Sequence, residues 1–138
     1  MPKRILVIDD APVPRTVLVR ALENWGFDLE IVEATSRQDA EDRLVTRGEK
    51  FDIIILDVQL RPTNKDRADL KQYANVGLDF YEQYVSYFKN SHVICITYYS
   101  KTGQEKRAKR LGIPYFFYRK IKDEELLSTM ASLIRESP

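Results

Sequence analysis

Four short places in the sequence carry groups that could do chemistry together: the acidic pair Asp9-Asp10, the aspartate Asp57, the hydroxyl of Thr97 and the adjacent cations Arg119-Lys120. Each follows an apolar run, at 4–8, 51–56, 92–96 and 115–118. Three carboxylates gathered at one edge repel, since a unit-charge pair about 4 Å apart costs roughly 4 kcal/mol at an effective dielectric of about 20. A hard divalent ion such as Mg2+ offsets this, because it takes a few carboxylates, keeps some waters and leaves positions for phosphate oxygens. An aspartate fixed beside such an ion can attack a phosphoryl group and form an aspartyl phosphate. The ion, Thr97 and a cation from Arg119 or Lys120 would then contact the transferred oxygens. Taken singly, each residue has an ordinary explanation: Asp10 as a cap or turn residue, Thr97 as a strand-end turn residue, Arg119 and Lys120 as solvated charges. The joint pattern at the ends of four strands is what argues for a site.

The four runs are short and continuous, as expected of strands buried on both faces, and 29–32 reads as a fifth strand. Between them the spacing predicts helices. The stretch 13–25 places Val17, Leu18, Ala21, Leu22 and Trp25 on one face, with Pro12 and Pro14 near its first turn and Gly26 at its end. The stretch 36–46 follows capping residues Thr35 and Ser36 and turns Ala40 and Leu44 inward. In 78–88, Leu78, Tyr81, Val85 and Phe88 recur at helical intervals, and 102–111 is a short basic helix closed by Gly112. The last helix starts at Asp123, with Glu124 and Glu125 in its first turn, and buries Leu126, Met130, Leu133 and Ile134.

Strict alternation of strand and helix predicts an α/β fold, a doubly wound parallel sheet with right-handed crossovers in three layers, α/β/α. Ligands in such sheets bind at the carboxyl ends of the strands, where the candidate residues stand. The exception to the alternation is 58–76, longer than a compact domain normally spends on a connection; such loops tend to be functional or mobile. Within it, 66–74 could form a short polar helix.

The length of 138 residues and a hydrophobic share of 43 % fit one domain. Apolar runs are too short for a membrane-spanning helix, and the charged start at Lys3-Arg4 leads into too short a stretch for a signal peptide, so a cytoplasmic location without membrane contact is expected. A single cysteine, Cys95, excludes an internal disulfide, and with the lone His92 it excludes the usual Cys/His zinc sites, so any metal must be held by oxygen. The net charge of +1 hides a division: residues 101–122 carry eight cations against Glu105 alone, or +7, leaving −6 for the rest. Such segregation steers partners. No nucleic-acid recognition module accompanies the basic stretch, so direct nucleic-acid binding is not expected, and an acidic partner or self-association fits it better. The glycines at 26, 48, 77, 103 and 112 make neither a P-loop nor a dinucleotide fingerprint.

Over nearly its whole length the sequence resembles the receiver domain of two-component response regulators, the CheY-like superfamily. Residues 4–10 look like that family's first strand and acidic pair, and 53–57 like its phosphoacceptor strand. Gly77-Leu78-Asp79 resembles the start of its third helix, Ile96-Thr97 its fourth strand, and 112–127 its last strand and helix. The resemblance implies a flavodoxin-like (βα)5 sheet of strand order 2-1-3-4-5, forming a single receiver domain over 1–138 with 58–76 as an insert-like loop. It could be the N-terminal part of a longer regulator. Asp57 would accept phosphate from a histidine kinase or histidine phosphotransfer protein. Asp9 and Asp10 would hold Mg2+ with Asp57 and the backbone of Gln59, and Thr97 would bond the phosphoryl group. Phe116 falls at the family's switch aromatic, which moves with Thr97, and the face that changes would be helix four, strand five and helix five, where a homodimer or an acidic partner could dock. The module would not be an enzyme beyond its own phosphotransfer and dephosphorylation.

Three departures accompany the match. Arg119 stands at the family's lysine and Lys120 at the proline after it, when counted without gaps from Gly112; either cation could serve. The connection after Asp57 is much longer than the family's and could cover the acidic edge or hold a partner. Tyr98 stands where a small residue is usual and is followed by Tyr99. Arg119, Lys120 and the long loop motivate a second reading, a receiver-like interaction module that works without phosphorylation. A third, a phosphoester hydrolase of the haloacid dehalogenase type, matches the strand up to Asp57 but needs an acid where this chain has Gln59.

Overall fold

A computed structural model describes residues 2–68, 71–97, 102–117 and 123–136. Within them strand and helix alternate: β1 (Lys3–Ile8), α1 (Pro12–Glu23), β2 (Leu29–Ala34), α2 (Arg37–Glu41, continued by a π-helical turn, Asp42–Thr46), β3 (Ile53–Asp57), α3 (Val76–Gln83, followed by a single turn, Val85–Phe88), β4 (His92–Thr97), α4 (Thr102–Arg110), β5 (Tyr115–Phe117) and α5 (Asp123–Glu136). The five strands form one sheet in the order β2-β1-β3-β4-β5, with every neighbouring pair parallel. The flavodoxin-like arrangement expected from the sequence is therefore the one observed. Among the described residues no helix is long and apolar enough to cross a membrane.

The side-chain period of two sorts each strand between two cores. Ile5, Val7, Ile53, Ile55, Ile94 and Ile96 face Leu18 and Leu22 of α1 and Leu126, Met130 and Ile134 of α5. Leu6, Ile8, Ile54, Leu56 and Cys95 point the other way, toward Ala40 and Leu44, Leu78 and Phe80, and Ala108 of α2, α3 and α4. Burial on both faces explains why β1 and β3 read as unbroken apolar runs, each large side chain contributing about 1.5–3 kcal/mol.

Three helices depart from their expected form. In α1 the buried stripe is Leu18 and Leu22, while Val13 and Val17, one turn apart, face outward. The second helix widens at Asp42–Thr46, where the Arg47 amide bonds the Asp42 carbonyl five residues back; Ala40 and Leu44, one turn apart, are both buried. The third starts at Val76 and breaks at Tyr84, whose backbone leaves the helical region (φ −119°, ψ 33°). That break lets the Tyr84 hydroxyl reach Glu41 Oε1 at 2.9 Å and its ring meet Phe80 edge-to-face, and it turns Val85 to solvent.

The connection after β3 packs sideways against α2. Val58 and Leu60 are buried. Of the expected helix at 66–74, the described residues contain one 3-10 turn, Lys71–Tyr73. Asp66 instead closes a turn, its Oδ2 accepting from the Thr63 amide and hydroxyl at 2.9 and 2.8 Å. The loop also caps α2. The first amides of a helix have no partner inside it. Here Arg37 N–H bonds the Arg61 carbonyl and Gln38 N–H the Pro62 carbonyl, both at 2.9 Å, while Asp39 N–H bonds Ser36 Oγ at 3.1 Å. Because Ser36 is fully buried, Ser36→Ala leaves the Asp39 amide without water to replace the bond. We expect a loss of about 1 kcal/mol, read as a lower urea midpoint.

Candidate functional site

Parallel register builds the site. Ile8 pairs with Leu56, so Asp9 and Asp57 emerge side by side from β1 and β3; Asp57 pairs with Ile96, so Thr97 ends β4 next to them. Asp9, Asp10, Asp57, Gln59 and Thr97 are all buried. One oxygen from each of the three aspartates can be chosen so that all lie within 4.8 Å of one another. Three carboxylates that close, shielded from water, match the donor set a hard divalent cation takes.

The electrostatics carry the same message. Burial, then the charges of Asp9 and Asp10, then a hydrogen bond with the Asp9 carboxyl hold Asp57 well above its ordinary value of 3.8, against the pull of the Gln59 amide on Asp57 Oδ1 at 3.1 Å. Burial and the neighbouring charges favour the protonated form of Asp57, and a cation among the three carboxylates would favour the ionised one. Stability should respond. A carboxyl with a raised folded value adds stability that is complete below about pH 4 and is lost as pH climbs through the raised value. In chelator the melting temperature of the wild type should therefore fall across that window. Asp57→Asn should flatten the decline and Mg2+ should restore the loss; parallel curves for wild type and variant in chelator would contradict the assignment.

Each acid is positioned by the chain around it. Asp9 Oδ1 accepts the Ala11 amide at 2.8 Å, the turn that leads into α1, where Pro12 occupies a position whose amide has no helical partner. Arg15 bonds the Asp9 carbonyl at 2.9 Å and Glu33 at 3.0 Å. Asp10 Oδ2 accepts the Arg61 amide at 2.8 Å. Beyond Asp57, the Val58 amide bonds the Ile96 carbonyl at 3.2 Å, and the Gly77 amide bonds the Val58 carbonyl at 2.9 Å. A Cβ on Gly77 would overlap the Asp57 carbonyl oxygen and come within 3.0 Å of Val58 Cα. Cys95, on the strand beside β3, has its thiol pushed up to about 12 by burial and by Asp57, which leaves it unreactive at neutral pH.

The structure thus brings together Asp9, Asp10, Asp57, Gln59 and Thr97. Phe116 lies on β5, paired in register with Ile96. Arg119, Lys120, Tyr98 and Tyr99 fall outside the described residues. The sequence reading did not anticipate Arg61, an arginine in a polar loop with no periodic signal, nor the close approach at Gly77, whose only trace is a glycine opening a helix. The basic helix α4 docks on α3 through Arg107, which pairs with Asp79 at 2.8 Å and Glu82 at 3.0 Å; Lys106, Lys109 and Arg110 are exposed. The buried Gln104 amide donates to the Ala74 carbonyl, joining α4 to the segment that precedes Gly77.

A family model for the response regulator receiver domain matches residues 5–131. No curated protein sequence matches the chain significantly. Among solved structures, the chain is similar to a CheY-like receiver domain protein from Methanospirillum hungatei JF-1 (19 % identity, TM-score 0.72, 99 % of this chain and 97 % of that one). It is also similar to a response regulator from Burkholderia pseudomallei with a phosphorylated aspartic acid, calcium and citrate (23 %, 0.66, 99 % and 75 %). A third is the response regulator TrrA from Thermotoga maritima in complex with Mg2+ and BeF (23 %, 0.68, 95 % and 98 %). At these identities the structures show a shared fold.

Proposed function

Because the chain belongs to the response regulator receiver domain family, and so to two-component signalling, we propose that Asp57 accepts a phosphoryl group from the phosphohistidine of a histidine kinase or histidine phosphotransfer protein. The observation that carries this is the convergence of Asp9, Asp10 and Asp57, buried at the carboxyl edge of the sheet with oxygens within 4.8 Å. An Asp57 oxygen attacks phosphorus, the new O–P bond forms as the donor's P–N bond breaks, and the electron pair leaves with the imidazole, which is then protonated. Asp9, Asp10, Asp57 and the Gln59 carbonyl would hold Mg2+, which supplies the positive charge that keeps Asp57 ionised and offsets charge on the transferred oxygens.

The chain's own groups do the rest. The Gln59 amide orients Asp57 Oδ1, and the Ala11 amide orients Asp9. Thr97 would bond a transferred oxygen, and Arg119 or Lys120 would supply a cation to it. Thr97 and Phe116 then relay the change to the face of α4, β5 and α5, where exposed Lys106, Lys109 and Arg110 suit an acidic partner or a second copy. The Burkholderia and Thermotoga structures, one with phosphoaspartate and calcium and the other with Mg2+ and BeF, support the chemistry by likeness. We place the module in the cytoplasm, as a single receiver domain over 1–138. A phosphoester hydrolase is disfavoured because Gln59 stands where that chemistry needs an acid. Intact mass after incubation with acetyl phosphate and Mg2+ tests the proposal: one added phosphate supports it. No gain with any donor, together with undiminished partner binding, would instead assign an interaction module independent of phosphorylation.

A further inference from the structure

The loop between Asp57 and α3 touches the acidic edge through the Gln59 amide on Asp57 Oδ1 at 3.1 Å and, further along, through the Arg61 amide on Asp10 Oδ2 at 2.8 Å. A carboxylate has acceptor capacity for a hydrogen bond and a metal ion together, so this bond orients Asp10 without occupying it fully. The Arg61 side chain turns away from the carboxylates and grips carbonyl oxygens: Nε bonds Thr35 O at 2.8 Å, Nη1 bonds Asp66 O at 3.2 Å, and Nη2 lies 3.4 Å from Asn64 Oδ1. Its fork therefore ties the β2–α2 junction to the far side of its own loop. The same stretch caps Arg37 and Gln38 with the Arg61 and Pro62 carbonyls, and Asn64 bonds the Thr35 hydroxyl at 2.9 Å and Asp39 Oδ1 at 3.1 Å. At its other end Leu60 is fully buried. Bonds so interlocked make residues 60–66 dock on α2, or leave it, as one unit.

We infer that Arg61 is a positioning residue that clamps residues 60–66 over α2 and holds Asp10 in place, so that cation binding at the acidic edge and docking of this loop strengthen each other. The inference rests on the metal-binding reading above. Outer partners that orient a metal ligand are worth about 10–100-fold in metal affinity. Linkage is reciprocal, so the cation must stabilise the docked loop by the same factor that docking adds to its affinity. The clamp requires a planar fork reaching several acceptors at once, which lysine cannot supply.

The sequence contains its own reporters. Lys65 and Arg67 are exposed and precede Asp66 and Ala68, so trypsin can cut after either, more slowly after Lys65 because an acid follows it, and cleavage there requires the loop to open. Calorimetric titration with Mg2+ should show wild-type binding, about tenfold or more weaker binding in Arg61→Ala, and little recovery in Arg61→Lys. In the wild type, saturating Mg2+ should slow cleavage at Lys65 and Arg67 relative to Lys109 on α4 by a comparable factor, and in Arg61→Ala this protection should disappear. Equal Mg2+ affinity of Arg61→Ala and wild type would overturn the inference and leave the metal reading standing. If Arg61→Ala does not fold, the wild-type proteolysis decides: unchanged cleavage at Lys65 and Arg67 with Mg2+ bound overturns the clamp. A wild type that binds no Mg2+ at all would overturn the metal reading, and the clamp with it.

Discussion

Asp57→Asn should gain no mass when incubated with acetyl phosphate and Mg2+, under conditions in which the wild type gains one phosphate. The substitution changes an oxygen for an amide at constant shape, and the Gln59 amide that bonds Asp57 Oδ1 can bond the asparagine oxygen equally well. Folding is therefore not what fails. Asp9 and Asp10 do not take over, because their oxygens are directed by the Ala11 and Arg61 amides. Without a cation the variant should be more stable than the wild type at neutral pH, since one of three buried carboxyl groups held within 4.8 Å is gone. Loss of phosphorylation with increased metal-free stability is a combination that a misfolded variant cannot imitate. Wild-type incorporation in Asp57→Asn would place the acceptor elsewhere.

The second large effect is expected away from any charged group. In Gly77→Ala the added methyl meets the backbone of Asp57 and Val58 rather than the end of a flexible side chain. Relief requires moving the end of β3 or the start of α3, and both are fixed, β3 by its pairing with β1 and β4 and α3 by Leu78 and Phe80 in the core. Forcing extra volume into packed structure costs about 1–3 kcal/mol, and here the displaced atom belongs to Asp57, the proposed phosphoacceptor. Urea denaturation should show a loss of that size, and phosphorylation by acetyl phosphate should slow as well. Gly103→Ala is the control: nothing among the described residues lies within 4 Å of a Cβ there, so the helix former should add up to about 0.5–1 kcal/mol. Equal stability of the two alanine variants would mean that β3 and α3 yield more easily than their packing suggests.

What the sequence made legible follows from the sheet. Strands buried on both faces lose their alternation and become apolar runs, so β1, β3 and β4 stand out, and the residues that follow them converge whatever the helices do. That convergence is why Asp9, Asp10, Asp57 and Thr97 could be grouped before any coordinates. Features that depend on partners distant in the chain were not legible. Tyr84 breaks its helix for the sake of Glu41, and no local pattern announces that bond. Residues 66–74 are rich in helix formers, yet a helix that short is marginal in water, and Asp66 is drawn into its turn with Thr63 instead. Arg61 bonds carbonyl oxygens from its own loop and from Thr35, distant in the chain, and spacing cannot encode that.

The capping of α2 by carbonyls from the loop after β3 also bears on how these modules can be recombined. Trimming residues 58–76 to a minimal turn would strip the Arg37 and Gln38 amides of their acceptors and so fray a helix that the cut never touched. Conversely, the loop grafted into another scaffold would arrive without the Thr35, Asp39 and helix-start groups it was shaped around. Chimeras that exchange the loop alone should therefore fail where those exchanging it together with 35–39 succeed. The two segments, separate in the chain, form one unit of inheritance.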